Sequence, residues 1–159
     1  MNQTAQEVMI IARELANSGA LHKINILSPS RWSLGLHVLL VEDDEADAYL
    51  VRRALAKNPW VADVVIAGDG IEALELLDKR RVAPDLAIVD LHMPRKDGLA
   101  LLKEFATRSV HFPFVVLTSS KASKDAVRAA KRGAVEFITK PRTEAELAAT
   151  LNRSIRNVF

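Results

Sequence analysis

The stretch Ala87-Ile88-Val89-Asp90-Leu91-His92-Met93-Pro94 decides the fold. Its apolar run reads as a buried strand that ends on a single carboxylate. Pro94 then forbids continued regular pairing, because proline has no amide hydrogen and a fixed φ. Asp90 is therefore expected at the carboxyl end of a central strand, where open α/β sheets place their ligands and their chemistry.

Working outward, short β-branched or aliphatic runs recur at 37–41, 62–67, 85–90, 113–118 and 134–138. Helical patterns lie between and after them, near 46–57, 70–80, 97–107, 122–132 and 143–157. This alternation predicts an α/β fold, a parallel sheet covered by helices on both faces. Stripes suited to that burial are Ala48, Val51 and Leu55; Ile71, Leu74 and Leu77; Leu99, Leu102 and Ala106; and Ala148, Leu151 and Ile155. Thr143-x-x-Glu146 has capping-box spacing where the last helix should start.

Composition limits the alternatives. A chain of 159 residues with 49% hydrophobic content supports one domain with a real core and something added. The absence of cysteine removes disulfide frameworks and thiolate metal sites, and suits a reducing cytoplasm. No apolar run is long enough to span a bilayer and no secretion signal opens the chain, so a soluble, cytoplasmic protein without membrane association is expected. A net charge of +2 is too small to argue for nucleic acid.

If strands one, three and four are neighbours, their carboxyl ends converge. The first runs into Glu42-Asp43-Asp44-Glu45, where a phosphate- or dinucleotide-cradling loop would need glycines. Acids would repel a nucleotide. Glu42 and Asp43 brought beside Asp90 crowd three carboxylates into one crevice, and a divalent cation with oxygen ligands, Mg2+ rather than zinc, relieves their repulsion. Negative charge at a helix amino terminus explains Asp44, Glu45 and Asp47 equally well, but it does not explain Asp90. The fourth run ends on Thr118 and the fifth on Lys140-Pro141. Singly, Thr118 reads as a helix cap and Lys140 as a solvated turn residue. Together with the acids, a hydroxyl and a cation make a site for phosphoryl transfer, which needs little beyond positioning and charge neutralisation.

Val41-Glu42-Asp43-Asp44, Ala67-Gly68-Asp69-Gly70, Asp85 through Pro94 with Asp97-Gly98, Val116-Leu117-Thr118-Ser119 and Gly133-Ala134 through Phe137 to Lys140-Pro141 resemble the receiver domain of two-component response regulators. The resemblance covers about residues 37–157. The opening acidic motif and the Leu117-Thr118-Ser119-Ser120 ending are most similar to single-domain regulators that partner phytochrome-type kinases. The resemblance implies a flavodoxin-like, doubly wound five-stranded sheet of order 2-1-3-4-5 with five helices. It also implies that Asp90 accepts a phosphoryl group from a histidine kinase or phosphotransfer protein. Mg2+ would be held by Glu42, Asp43, Asp90 and the backbone carbonyl of His92. Thr118 and Lys140 would engage the phosphoryl group, with Thr118 and Phe137 as switch residues, and the bond to Pro141 is a candidate cis peptide. Such a protein catalyses its own Mg2+-dependent phosphorylation and dephosphorylation without turning over an external substrate.

Phe137 stands where the family often has a switching tyrosine, so its two rotamers would differ only in packing. His92 and Ser120 flank the expected phosphoryl position. An aspartate-nucleophile phosphatase would carry a second aspartate where His92 stands, which ranks that reading last. A phosphorylation-independent docking or dimerisation module is the other alternative. His22, His37 and His111 have no metal spacing and are assigned structural or surface roles.

The expected organisation is an N-terminal extension at 1–36 and a receiver domain at 37–159. In the extension, Thr4-x-x-Glu7 and the stripe Ala5, Val8, Ala12 and Leu15 predict an amphipathic helix, followed by a linker; an unstructured tail is the alternative. The chain stops after the fifth helix, so no DNA-binding domain is expected, and output should run through protein contact. Lys121, Lys124, Arg128, Lys131 and Arg132 form a basic stripe on or near the fourth helix. It reads either as a solvated face or as a surface for an acidic partner or a homodimer. Trp32 and Trp60 are expected to be packing residues.

Overall fold

Strand β1 (Leu36–Val41) sends alternate side chains to opposite faces of a sheet, and this alternation divides the core in two. The computed structural model describes residues 35–95 and 97–159; the expected helix near residues 4–18 and its linker lie outside them. After β1 come α1 (Glu45–Ala56), β2 (Val61–Ala67), α2 (Gly70–Asp78), β3 (Leu86–Val89) and α3 (Gly98–Arg108). Then follow β4 (Phe114–Thr118), α4 (Ser123–Lys131), β5 (Glu136–Thr139) and α5 (Glu144–Val158). All strand pairs are parallel, and the sheet order is β2-β1-β3-β4-β5, the flavodoxin-like arrangement expected above.

On one face Leu39, Val41, Ala87, Val89 and Val116 pack beneath Ala73 and Leu74 of α2, Leu101, Leu102 and Phe105 of α3, and Ala129 of α4. On the other, Val38, Leu40, Ile88, Val115 and Leu117 meet Ala48, Val51 and Leu55 of α1 and Leu147, Leu151 and Ile155 of α5. Each large aliphatic side chain fully buried in this way contributes on the order of 1.5–3 kcal/mol. Strands β3 and β4 are buried at every residue because helices cover them on both sides, whereas the edge strands β2 and β5 are largely half-buried or exposed.

Two predicted stripes are out of phase with the packing. Ile71 is 42% exposed and Ala106 is exposed, while Gly70, Ala73 and Leu74, and Gly98, Leu101, Leu102 and Phe105, are buried. Each set starts on the first residue after an aspartate cap and then follows three- and four-residue spacing, so the cap rather than the bulkiest side chain sets the helix phase. Trp60 likewise is not a core residue, being 47% exposed. The α1–β2 connection is held instead by buried Asn58, whose Oδ1 accepts from Trp60 N at 2.8 Å and whose Nδ2 donates to Asn152 Oδ1 at 2.8 Å.

Because all strands are parallel, every helix begins at the same edge of the sheet. Four helices are capped there by a side chain: Asp44 accepts from Asp47 N, Asp69 from Ile71 N and Glu72 N, Asp97 from Ala100 N, and Thr143 from Glu146 N. The predicted cap at Thr143 is present. Helix α4 differs, since Ala122 at its cap position has no side chain to offer.

Candidate functional site

Strand β1 delivers Glu42 and Asp43 to this edge, and β3 delivers Asp90. Asp90 N donates to Val41 O at 3.0 Å, so the two strand ends stay in register beyond the regular pairing. Glu42 and Asp90 are buried, Asp43 is exposed, and carboxylate oxygens of all three lie within 4.8 Å of one another. The backbone of Asp90 is held from behind by Gly98. A Cβ at Gly98 would collide with the Asp90 carbonyl oxygen and come 2.6 Å from Leu91 Cα, so only glycine allows α3 to start this close.

Lys140 arrives from β5, with its backbone N donating to Thr118 O at 2.8 Å. Its Nζ donates to Asp47 Oδ2 at 2.6 Å, Glu42 Oε2 at 2.7 Å and Asp90 Oδ2 at 3.3 Å. Burial would by itself depress the lysine, but the hydrogen bonds from Asp47 and Glu42 and the charge of Asp90 outweigh it and hold the ammonium above its ordinary range. Burial also pushes the Glu42 carboxyl up, and Lys140 offsets this only in part. Three carboxylates (Glu42, Asp47 and Asp90) thus share one ammonium, and among the described residues the fourth, Asp43, makes no ion pair.

That imbalance is the test for a cation. The uncompensated oxygens are hard donors, they come from three side chains, and the exposed position of Asp43 leaves room for water. Such a set suits Mg2+ or a similar divalent ion and fits neither zinc nor a soft metal.

The remaining predicted residues are placed as follows. His92 is exposed, and its backbone N donates to Asp90 Oδ1 at 3.4 Å. Thr118 is fully buried; its Oγ1 accepts from Ser120 N at 3.3 Å, and among the described residues no hydrogen bond joins it to Asp90. Phe137 is half-buried against the α2–α4 side of the core. The described residues contain no cis peptide, so the bond to Pro141 is trans and that expectation is corrected. An X–Pro bond favours trans by about 0.5–1 kcal/mol, and Lys140 already reaches its three carboxylates with the trans geometry.

Sequence reading did not single out Asp47, which it treated as helix-terminal charge. Its position four residues after Asp43, in the first turn of α1, was the available signal. Asp69 was likewise missed as a structural hub. It is buried, caps α2 and accepts from Arg95 Nη2, joining the β2–α2 and β3–α3 loops, with Arg95 in the left-handed region at φ 61°.

Comparison with known proteins decides the family. The response regulator receiver domain matches residues 38–152. The chain belongs to that family. Receiver domains accept phosphoryl groups in two-component signalling. Similar proteins include the transcriptional regulatory protein TrcR of Mycobacterium tuberculosis, 37% identical over 121 residues that make up 76% of this chain and 46% of TrcR. The response regulator MprA of Mycobacterium leprae is 33% identical over 121 residues, 76% of this chain and 51% of MprA. The chain thus spans about half the length of these curated relatives. Among solved structures, the phosphorylated cyanobacterial phytochrome response regulator RcpA superposes with a TM-score of 0.72 at 29% identity, covering 78% of this receiver chain and 94% of RcpA. The Mn2+-bound response regulator Rcp1 gives 0.68 at 29% identity, covering 74% and 90%. The expected likeness to phytochrome-associated regulators is therefore present in the structure. No helix among the described residues is long and apolar enough to cross a membrane.

Proposed function

We propose that this receiver domain accepts a phosphoryl group on Asp90 from a histidine kinase or phosphotransfer protein and signals through protein contacts that depend on it. The observation that carries the reading is the crevice in which Glu42, Asp43 and Asp90 lie within 4.8 Å of one another, with Lys140 paired to Glu42 and Asp90. An Asp90 carboxylate oxygen attacks phosphorus, the new P–O bond replaces the P–N bond to the donor histidine, and the electron pair returns to the imidazole nitrogen. Attack by an anion on an already charged phosphoryl group needs charge neutralisation above all.

Glu42, Asp43 and Asp90, with the backbone carbonyl of His92, would hold Mg2+. When bound, that ion supplies charge neutralisation for the phosphoryl oxygens and the crowded acids. Lys140, whose ammonium already touches Asp90, exchanges part of that contact for a phosphoryl oxygen. The Thr118 hydroxyl, an acceptor toward Ser120 N, retains its own hydrogen to donate. Phe137 completes the switch through packing alone, since it has no hydroxyl to bond. The phosphoryl group thereby adds charge that pulls the β4–α4 and β5–α5 loops into a second arrangement.

We read the receiver domain as acting in the cytoplasm. Exposed Lys121, Lys124, Arg128 and Lys131 offer a basic face that suits an acidic partner or a second copy. The test is intact mass after incubation with Mg2+ and a small acyl-phosphate donor, for the parent beside Asp90→Asn. One phosphoryl group taken up by the parent alone is expected. No uptake at any Mg2+ concentration overturns the reading in favour of phosphorylation-independent docking.

A further inference from the structure

Helix α4 starts without the cap that the other helices have. Its cap residue is Ala122, which offers no side-chain oxygen, and whose carbonyl accepts from Asp125 N at 2.9 Å and from Ala126 N at 3.4 Å. At nine residues it is too short to persist on its own propensity. Its start is instead tied down from the loop before it. Ser120 Oγ accepts from Ala122 N at 3.2 Å and donates to Asp125 Oδ2 at 2.8 Å. Asp125 is a buried carboxylate, 7% exposed, and among the described residues no cation pairs with it. A charge buried against one neutral donor is unfavourable unless that donor is held in place, so Asp125 and Ser120 are strongly dependent on each other.

The pair is coupled to the site through one more bond, since Ser120 N donates to Thr118 Oγ1 at 3.3 Å. Any shift of Thr118 toward a phosphoryl oxygen therefore carries the Ser120 segment with it. Asp125 also lines an open cavity of about 390 Å³ between α4 and the β3–α3 loop, with Leu91, Met93, Leu99 and Arg128. Buried Ala126 and Ala129 pack α4 onto the sheet, and the Ser120–Asp125 bond is the side-chain restraint that joins its first turn to the β4–α4 loop.

We propose that Asp125 is a positioning residue that latches Ser120, and through it Thr118, in the arrangement that precedes phosphorylation. The latch sets how readily this receiver takes up its phosphoryl group, and so it rests on the function proposed above. Uptake draws on the unlatched arrangement. While that arrangement is the minor one, breaking the latch raises the uptake rate by the factor by which it raises the population. Even at the strength of a neutral hydrogen bond, the low end for a carboxylate acceptor, this corresponds to roughly three- to tenfold.

The experiment measures uptake rates by intact mass, with Mg2+ and a small acyl-phosphate donor, for the parent, Asp125→Ala, Ser120→Ala, the double variant and Asp125→Asn. Amide hydrogen exchange at Ala122 is measured alongside. Asp125→Ala and Ser120→Ala are expected to take up the group roughly three- to tenfold faster, the double variant no faster than either, and Ala122 to exchange faster in all three. Asp125→Asn keeps an acceptor for Ser120 Oγ and is expected to behave as the parent. A helix merely destabilised by substitution would not be restored by the amide. Parent-like rates in Asp125→Ala and Ser120→Ala, or an Asp125→Asn protein as fast as Asp125→Ala, overturn the latch while uptake by the parent still stands. A parent that takes up nothing overturns the functional reading, and the latch's role with it.

Discussion

Lys140 reaches Asp90 across the intervening strand β4, its Nζ 3.3 Å from Asp90 Oδ2, while holding Glu42 and Asp47 more closely at 2.7 and 2.6 Å. The lysine is thus first a structural counter-ion to the β1–α1 acids, and its contact with Asp90 is the weakest and most exchangeable of the three. Lys140→Ala leaves Glu42 and Asp90 buried without their cation. The expected cost is about 3 kcal/mol in metal-free buffer, as when one partner of a buried pair is removed. Chemical denaturation with and without Mg2+ checks this, and the loss should shrink when Mg2+ is present. Lysine titration does not erode the contribution at neutral pH: the raised value keeps it whole below about pH 10.5, the unfolded value, and loses it only as pH rises through the folded one.

Glu42 is raised as well, but there the charged form costs stability at neutral pH where the charged lysine adds it. Its carboxyl is held above its ordinary 4.5 chiefly by burial, so as pH falls the folded metal-free protein gains a proton there before the unfolded chain does. Mild acid therefore favours the metal-free fold at this residue and removes a metal ligand. Mg2+ affinity by calorimetry should decline as pH falls toward 4.5 from above, and Glu42→Gln should bind more weakly and with a flatter pH dependence. A Glu42→Gln protein that keeps the parent's affinity and pH dependence contradicts this assignment.

Gly98→Ala tests the packing behind Asp90. The methyl group meets backbone on its closest side, and no side chain can rotate away to accommodate it. The clash should cost about 2–3 kcal/mol, more than the roughly 1 kcal/mol that alanine returns in helix propensity. Thermal unfolding should show the loss. Phosphoryl uptake should slow as well, because the displaced atoms are those of the acceptor's own backbone.

Asp69 and Arg95 form one ion pair, but their substitutions should be unequal. Asp69→Ala removes the α2 cap, two amide bonds and the Arg95 contact, for about 1–2 kcal/mol. Arg95 is 61% exposed on its side chain, and Arg95→Ala should cost well under 1 kcal/mol. Equal losses in denaturant titrations would mean that the ion pair, and not the cap, holds this corner.

The strand-terminal groups are legible in the sequence because an apolar run that stops on polar residues, with a proline following at Pro94 and Pro141, marks both an element and its end. Asp90, Glu42, Asp43 and Lys140 occupy such ends, and the parallel sheet brings ends together. Helix phase is less legible. Ile71 and Ala106 fit their stripes by spacing, yet the caps Asp69 and Asp97 rotate the buried faces onto Gly70 and Gly98. Asp47 and Asp125 were harder still. Both lie in the first turn of a helix, where an acid is favourable with or without a further task, and only tertiary placement distinguishes the acid that meets Lys140 from one that faces water. The trans bond at Pro141 belongs to the same class, since residue identity permits both isomers and the surroundings choose.

The close seat of Gly98 against Asp90 divides the site into a part that stays and parts that travel. Strand β3 is enclosed on both faces, and the atoms after it are wedged under α3, so the acceptor is a fixed reference point. On the function proposed above, charge added at Asp90 would be met by the groups free to shift around it: the acidic turn after β1, the hydroxyl loop after β4 and the lysine turn after β5. Two of those three lead directly into α4 and α5, which makes that side of the sheet the expected place for a response.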